Sequence, residues 1–374
     1  MRFITPAVAV LLCLLICAPA QAWSHKEHIM FTRIAAMRLL ADPSTPPAMK
    51  DWLRDASQGQ LFSSMDDARD YFMTVKIGMT PKGFRGLSYW VYQPDMRSLY
   101  DKADVKIAPF GVHEKFLHYI DLELFIQGDD VKREYKHDLS NKSKVSDIPH
   151  DMNDPRFVQA GMLPFRVEQC YAELVKAIRE KRFTAPTLEA QEEKTAIYWA
   201  AYLAHYLADN TQPQHATMDY KSQSYFANKT RSPNVHAEVE YRMCDDEVND
   251  FMDLRKEYWP LFAKDIDEFK DPVQAKDLFQ ATLEVSSRSY DALPLIGLAA
   301  MNAAKQAGTP EKPTGPYKPV DTEEFFHFKG QYMGREMTVT QMKAIQTAWA
   351  TQRIQKILRQ AWDEATIPSY KDGR

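Results

Sequence analysis

Long apolar runs are scarce in this chain of 374 residues. The one clear run, residues 7–18, is too short to span a bilayer comfortably, which takes about 20 apolar residues. It follows Arg2 and precedes Ala20-Gln21-Ala22, a small-x-small cleavage pattern. Residues 1–22 are therefore expected to be a signal peptide. Trp23 would open a secreted or periplasmic chain; an uncleaved anchor is the competing reading.

Cysteine is scarce as well. Of the 4 cysteines, Cys13 and Cys17 leave with the leader, so Cys170 and Cys244 remain as one possible disulfide or two buried thiols. A surplus of positive charge is also missing. The leader carries only Arg2, so 46 of the 47 basic side chains and all 51 acidic ones lie after it. That mild acidity argues against a protein that binds nucleic acid by neutralising its backbone. It leaves room for an enzyme whose metal ions supply the positive charge. There is no internal repeat.

What is present is helical periodicity. Apolar spacing predicts helices over 29–40, 165–182, 193–208, 234–251, 264–269, 275–306 with a break at Pro294, and 339–365. Strands are nearly absent from the pattern, so the fold class expected is all-α. Residues 80–111, rich in Gly, Pro and aromatics, read as a long loop, 127–164 as a second irregular stretch, and 308–319 as a proline-rich linker. The expected division is a main domain over 23–270 and a helical extension over 271–374 packed on it.

Histidine is present too: all 10 lie after the leader. His205 and Asp209 stand i, i+4 on a predicted helix and so share a face. His215 follows just past the turn Asn210-Thr211-Gln212-Pro213. His236 and Glu240 repeat the i, i+4 pairing. Imidazoles and carboxylates in this spacing suit a metal. A buried histidine capped by an acid would explain one pair but not two pairs and a third histidine so close together. Two weaker features join them. One is the free amine and carbonyl that cleavage would give Trp23, with His28 five residues on; the other is His118 in Leu117-His118-Tyr119-Ile120-Asp121. These donors are too many for one ion.

Together these residues resemble the superfamily that joins zinc-dependent phospholipase C with the single-strand-specific zinc nucleases and 3′-nucleotidases. Its pattern is an N-terminal Trp, a His, an Asp, an isolated His, a His-x-x-x-Asp-x5-His run and a His-x-x-x-Asp/Glu pair. The resemblance covers about residues 23–250. Asp66, with Arg69 three residues after it, fits the single Asp; Asp67 is the alternative. The resemblance implies an all-α fold with three zinc ions. One would take Asp66, His118, His205 and Asp209. A second would take the Trp23 amine and carbonyl, His28 and the other oxygen of Asp209. The third would take His215, His236 and Glu240. Asp66 would orient or deprotonate the water, and Arg69 would stabilise the transition state.

The substrate reading divides. The spacing from Trp23 to His28, the Asp-x-x-Arg pattern, and Tyr119 stacking on a base with Asp121 at its edge look nuclease-like. Glu240 in place of Asp looks like phospholipase C, and Tyr89-Trp90-Val91-Tyr92 offers either a cage for a choline head group or plain packing. A small lean goes to a phospholipase C-type enzyme acting on phospholipid. The alternative substrate is single-stranded nucleic acid or nucleotide. A non-catalytic secreted zinc-binding protein is the reading of a different class. No protein partner is expected.

Overall fold

In the computed structural model the described residues are 23–75, 85–126, 137, 142–184, 194–226, 232–245, 251–304, 308–309, 312–313 and 320–367. The expected leader, most of the linker at 308–319 and part of the irregular stretch from 127 lie outside them.

Ser24 starts helix α1 (His25–Ala41) with a capping box: its hydroxyl accepts from the Glu27 amide, and Glu27 returns a bond to the Ser24 amide. α2 (Pro47–Ser57) begins on a proline and α3 (Met65–Thr74) on a Ser64 cap. The stretch expected as a long loop contains a turn of helix at Leu87–Trp90 and then α4 (Gln93–Tyr100). Trp90 packs edge-on against Tyr198 and Tyr89, so the aromatics of that stretch serve packing.

α5 (Leu163–Arg179) lies against α6 (Ala196–Asp209). α6 is buried along almost its whole length, as expected for a helix apolar all round. Beyond it come α7 (Met252–Glu268), α8 (Leu278–Tyr290), α9 (Leu293–Ala303) and α10 (Val339–Thr366). The helix expected over 264–269 is only the end of α7, because Pro260 inside it reads as a breaker. The break between α8 and α9 falls at Asp291 and Ala292, which places Pro294 in the first turn of α9, where its missing N–H costs nothing. The helix expected over 234–251 is less regular. Val235–Ala237 leads into a π-helical turn, Glu238–Arg242, and then Met243–Asp245.

The little strand present is β1 (Gly308–Thr309) with β2 (Lys312–Pro313) and the hairpin of β3 (Lys329–Tyr332) with β4 (Arg335–Thr338). Met333 and Gly334 turn that hairpin with positive φ at both positions. Among the described residues the class is thus mostly helical. No described helix is long and apolar enough to cross a membrane. Cys170 and Cys244 are both buried and are not joined as a disulfide, and burial pushes the Cys170 thiol up to about 12.

The boundary expected near 270 does not divide the core. α10 packs against α1, α5, α6 and α7, and Ile345, Ile354, Leu358 and Trp362 join the same apolar cluster as Phe31 and Leu207. Asp271, at the expected boundary, anchors α10. Its carboxylate accepts from Trp349 Nε1 at 3.0 Å, Arg353 at 3.1 Å and Lys356 at 3.2 Å. Burial alone would raise its pKa, but attraction from Arg353 and these bonds hold it below the ordinary value.

A depressed carboxylate stabilises the fold above its unfolded value, near 3.9, and that contribution fades as pH falls through the folded value. Asp271→Asn should therefore cost about 3 kcal/mol at pH 7, because Arg353 stays buried without its counter-charge. The gap between variant and wild type in urea denaturation should narrow below about pH 4.

Candidate metal centre

The buried end of α6 supplies the centre. Asp209 is its last residue, fully enclosed, one turn after His205. The end of α6 is fixed from several sides. The Trp23 indole donates to the Ala208 carbonyl at 2.9 Å, and the Asn210 amide donates to Ser286 Oγ at 2.7 Å and the Thr282 carbonyl at 3.0 Å on α8. The chain then turns through Pro213–Ala216 to bring His215 back. His215 Nδ1 donates to the His118 carbonyl at 2.7 Å, and the Ile120 amide donates to the His215 carbonyl at 2.9 Å. That leaves His215 Nε2 facing Glu240 at 3.5 Å. A ring nitrogen engaged by a carbonyl fixes the tautomer and frees the other for an ion.

Asp209 uses its two oxygens in different directions. Oδ1 faces His28 Nε2 at 3.3 Å; Oδ2 faces His118 Nδ1 at 2.9 Å and His205 Nε2 at 3.2 Å. The rings of His28 and His205 stack at 4.1 Å. Three buried groups thereby have ligand atoms close enough to share an ion: His28, His205 and Asp209; Asp95, His118 and His205; and His215, His236 and Glu240. His236 Nε2 lies against Glu240 across the π turn. π-helical turns are frequent where side chains must be re-aimed at functional sites.

The acid that stands with His118 and His205 is Asp95, from α4, and not Asp66. Asp95 Oδ1 lies 3.6 Å from His205 Nε2 and 3.8 Å from His118 Nδ1. Asp66, Arg69 and the alternative Asp67 all face solvent. The reason is the face α3 buries: Ala68 and Phe72 turn toward the core, which directs 66 and 69 outward, and Asp67 is spent accepting from the Ser63 amide at 2.9 Å. Asp95 escaped the sequence reading because its segment looked like loop. Gln93-Pro94-Asp95 is nevertheless a helix-start signal, with Pro and an acid in the first turn.

The donors fit a metal ion. Among the described residues, both ring nitrogens of His28, Nε2 of His118, Nδ1 of His205, Oδ1 of Asp209 and Oδ2 of Asp95 are buried without a hydrogen-bond partner. Ligands at about 2.1 Å around a tetrahedral ion stand about 3.4 Å apart, and the unpartnered pair His28 Nε2 and Asp209 Oδ1 stands 3.3 Å apart. Electrostatics agrees. Burial would raise the Asp209 carboxyl, but attraction from His205 and the close contacts of His118 and His205 hold it well below the usual range. Glu240 is pushed well above its range, first by burial and then by repulsion from Asp95 and Asp209. A buried cation between these acids would remove that repulsion.

A cavity of about 360 Å³ opens beside His118, His215 and His236. Tyr119, Asp121, Tyr220, Lys115 and Gln214 line it, so the two residues expected to bind substrate do sit next to the centre. Gly161 seats Tyr119: its φ of 90° and ψ of 164° belong to glycine, and an added Cβ would lie 2.2 Å from the Tyr119 carbonyl.

Asp95→Asn should reduce the number of metal ions retained after dialysis, measured by elemental analysis, while Asp66→Asn should leave it unchanged; the reverse pattern would restore Asp66 as the ligand. No family model and no curated protein matches the chain, so the chemistry is argued from its own residues.

Proposed function

We propose that this chain is a secreted or periplasmic zinc-dependent phosphodiesterase holding three ions, of the type shared by zinc-dependent phospholipase C and the single-strand-specific zinc nucleases. The observation that carries the reading is Asp209, whose oxygens face imidazoles on both sides, with the His215, His236 and Glu240 group alongside the same cavity. Asp95, His118, His205 and Asp209 would hold one ion. His28, Asp209 and the amine and carbonyl of Trp23 would hold the second, and His215, His236 and Glu240 the third.

Zinc held by such a set supplies Lewis acidity toward phosphoryl oxygens and a nucleophilic hydroxide at neutral pH. The protein's own part is positioning. Asp95 takes the ligand place expected of Asp66, beside His118 and His205, from the α4 side. Lys115, on the cavity wall, offers the cationic charge for which Arg69 is misplaced. Gln212, which donates to Glu240 Oε1 at 3.4 Å, holds that carboxylate toward His215 and His236. Tyr119, Tyr220 and Asp121 select the organic group carried by the phosphate.

The lean toward phospholipid rests on Glu240. The nucleic-acid reading has support of its own: Tyr119 and Asp121 share one cavity, a flat aromatic face beside a carboxyl that burial, and then Glu123, pushes up. Such a carboxyl can accept from a donor on a base edge and, when protonated, donate to an acceptor.

Mature protein is expected to hydrolyse either phosphatidylcholine or single-stranded DNA, RNA and 3′-nucleotides, and to lose activity with chelator. Activity on nucleic acid alone would overturn the phospholipid lean. About three bound zinc ions with no hydrolysis of any of these would favour a zinc-holding protein without turnover. A variant that retains one residue before Trp23 should lose one zinc and most activity; full metal content and rate would show that the free amine is not a ligand.

A further inference from the structure

His25 is the histidine near the centre that the ligand pattern leaves unused. It sits in the first turn of α1, three residues before His28, so both project from one side of the helix. Its Nε2 lies 3.6 Å from Asp95 Oδ2. Both atoms are buried and neither has a hydrogen-bond partner. The other oxygen of Asp95 faces His205 and His118. The His25 ring leans on Tyr92 with centroids 5.3 Å apart, which orients it from the turn that begins α4.

A buried carboxylate oxygen without a donor costs about 1–3 kcal/mol, and an unpaired imidazole nitrogen adds to it. The neighbours of His25 on α1 are already engaged elsewhere. Lys26 donates to the Cys244 carbonyl, and Glu27 serves Ser24 and Lys343. Each orphan therefore has the other as its nearest candidate partner, and the gap closes with a shift of about 0.8 Å to reach about 2.8 Å.

We propose that His25 is a positioning residue for Asp95. Its Nε2–H donates to Oδ2, so that Oδ1 is the oxygen held toward His118 and His205. The first turn of α1 then governs two acids at once, Asp209 through His28 and Asp95 through His25. This rests on the metal-centre reading above, but it concerns one side chain that the ligand set does not contain.

The test uses the mature protein and Zn²⁺ alone. His25→Ala, His25→Gln and His25→Asn are compared by zinc competition against a chromophoric chelator, with circular dichroism and melting of the metal-free forms as folding controls. The Gln amide nitrogen reaches the place of Nε2, whereas that of Asn reaches only Nδ1. Expected is a 10–100-fold weaker affinity for one zinc in Ala and Asn, restored to within about threefold in Gln. Unchanged affinity in Ala, or Gln as weak as Asn, overturns the proposal, and the Gln–Asn pair decides it even if Ala fails to fold. Wild type that binds no zinc would sink the proposed function itself. Wild type that binds zinc with His25→Ala unaffected would sink only this inference.

Discussion

The carboxylate of Asp209 is the interaction on which the rest depends. It is a charge with no exposed surface, at the end of a helix buried nearly throughout, and three imidazoles converge on its two oxygens. Removing such a charge from water costs several kcal/mol unless partners replace the hydration. Those partners come from α1, from the segment before Tyr119 and from α6 itself, so distant pieces of chain must meet for the carboxylate to be tolerated. Its surroundings are braced accordingly: the Trp23 indole donates to the residue before it, Asn210 after it donates to α8, and His215 is bonded to the His118 carbonyl and the Ile120 amide.

A second buried charge ties the C-terminal third to the same point. Lys343, wholly enclosed on α10, donates to the Val239 carbonyl at 2.6 Å and the Glu240 carbonyl at 3.2 Å, and pairs with Glu27 at 3.0 Å. Its ammonium also stands 4.8 Å from the centre of the Trp23 ring. A π turn widens the helix around Glu240, and the lysine supplies donors to carbonyls in that turn. One side chain from α10 thus joins the cap of α1 to the turn that carries Glu240. What looked in sequence like an extension is the wall behind the site.

Legibility followed the range of the signal. His205 with Asp209 and His236 with Glu240 were readable because a helix converts a spacing of four into a shared face, and His215 because the turn before it is short. The long helices α1, α5, α6 and α10 were readable from apolar period. Asp95 was not, because α4 is brief and its neighbours are aromatics that look like loop filling until Tyr198 is placed against them. Asp66 failed for a complementary reason. A local Asp-x-x-Arg pattern says nothing about which face of α3 the core claims, and Ala68 with Phe72 claimed the other one. The hairpin at Lys329–Thr338 was too short to show alternation, and Pro260 hid most of α7.

The division of charge within the centre explains why these errors of placement matter chemically. Asp209 is held ionised by its histidines, whereas Glu240 is driven toward its neutral form by burial and by Asp95 and Asp209. Had the second acid been Asp66 on the solvent side of α3, it would exert little of that repulsion. With Asp95 inside, three enclosed carboxylates share one neighbourhood. The protein tolerates this because α4, α6 and the π turn are each fixed by packing elsewhere. The ligand atoms of the three buried groups are therefore held in place, close enough to share a cation. The site is preorganised by the fold: metal binding would relieve repulsion without having to gather its ligands.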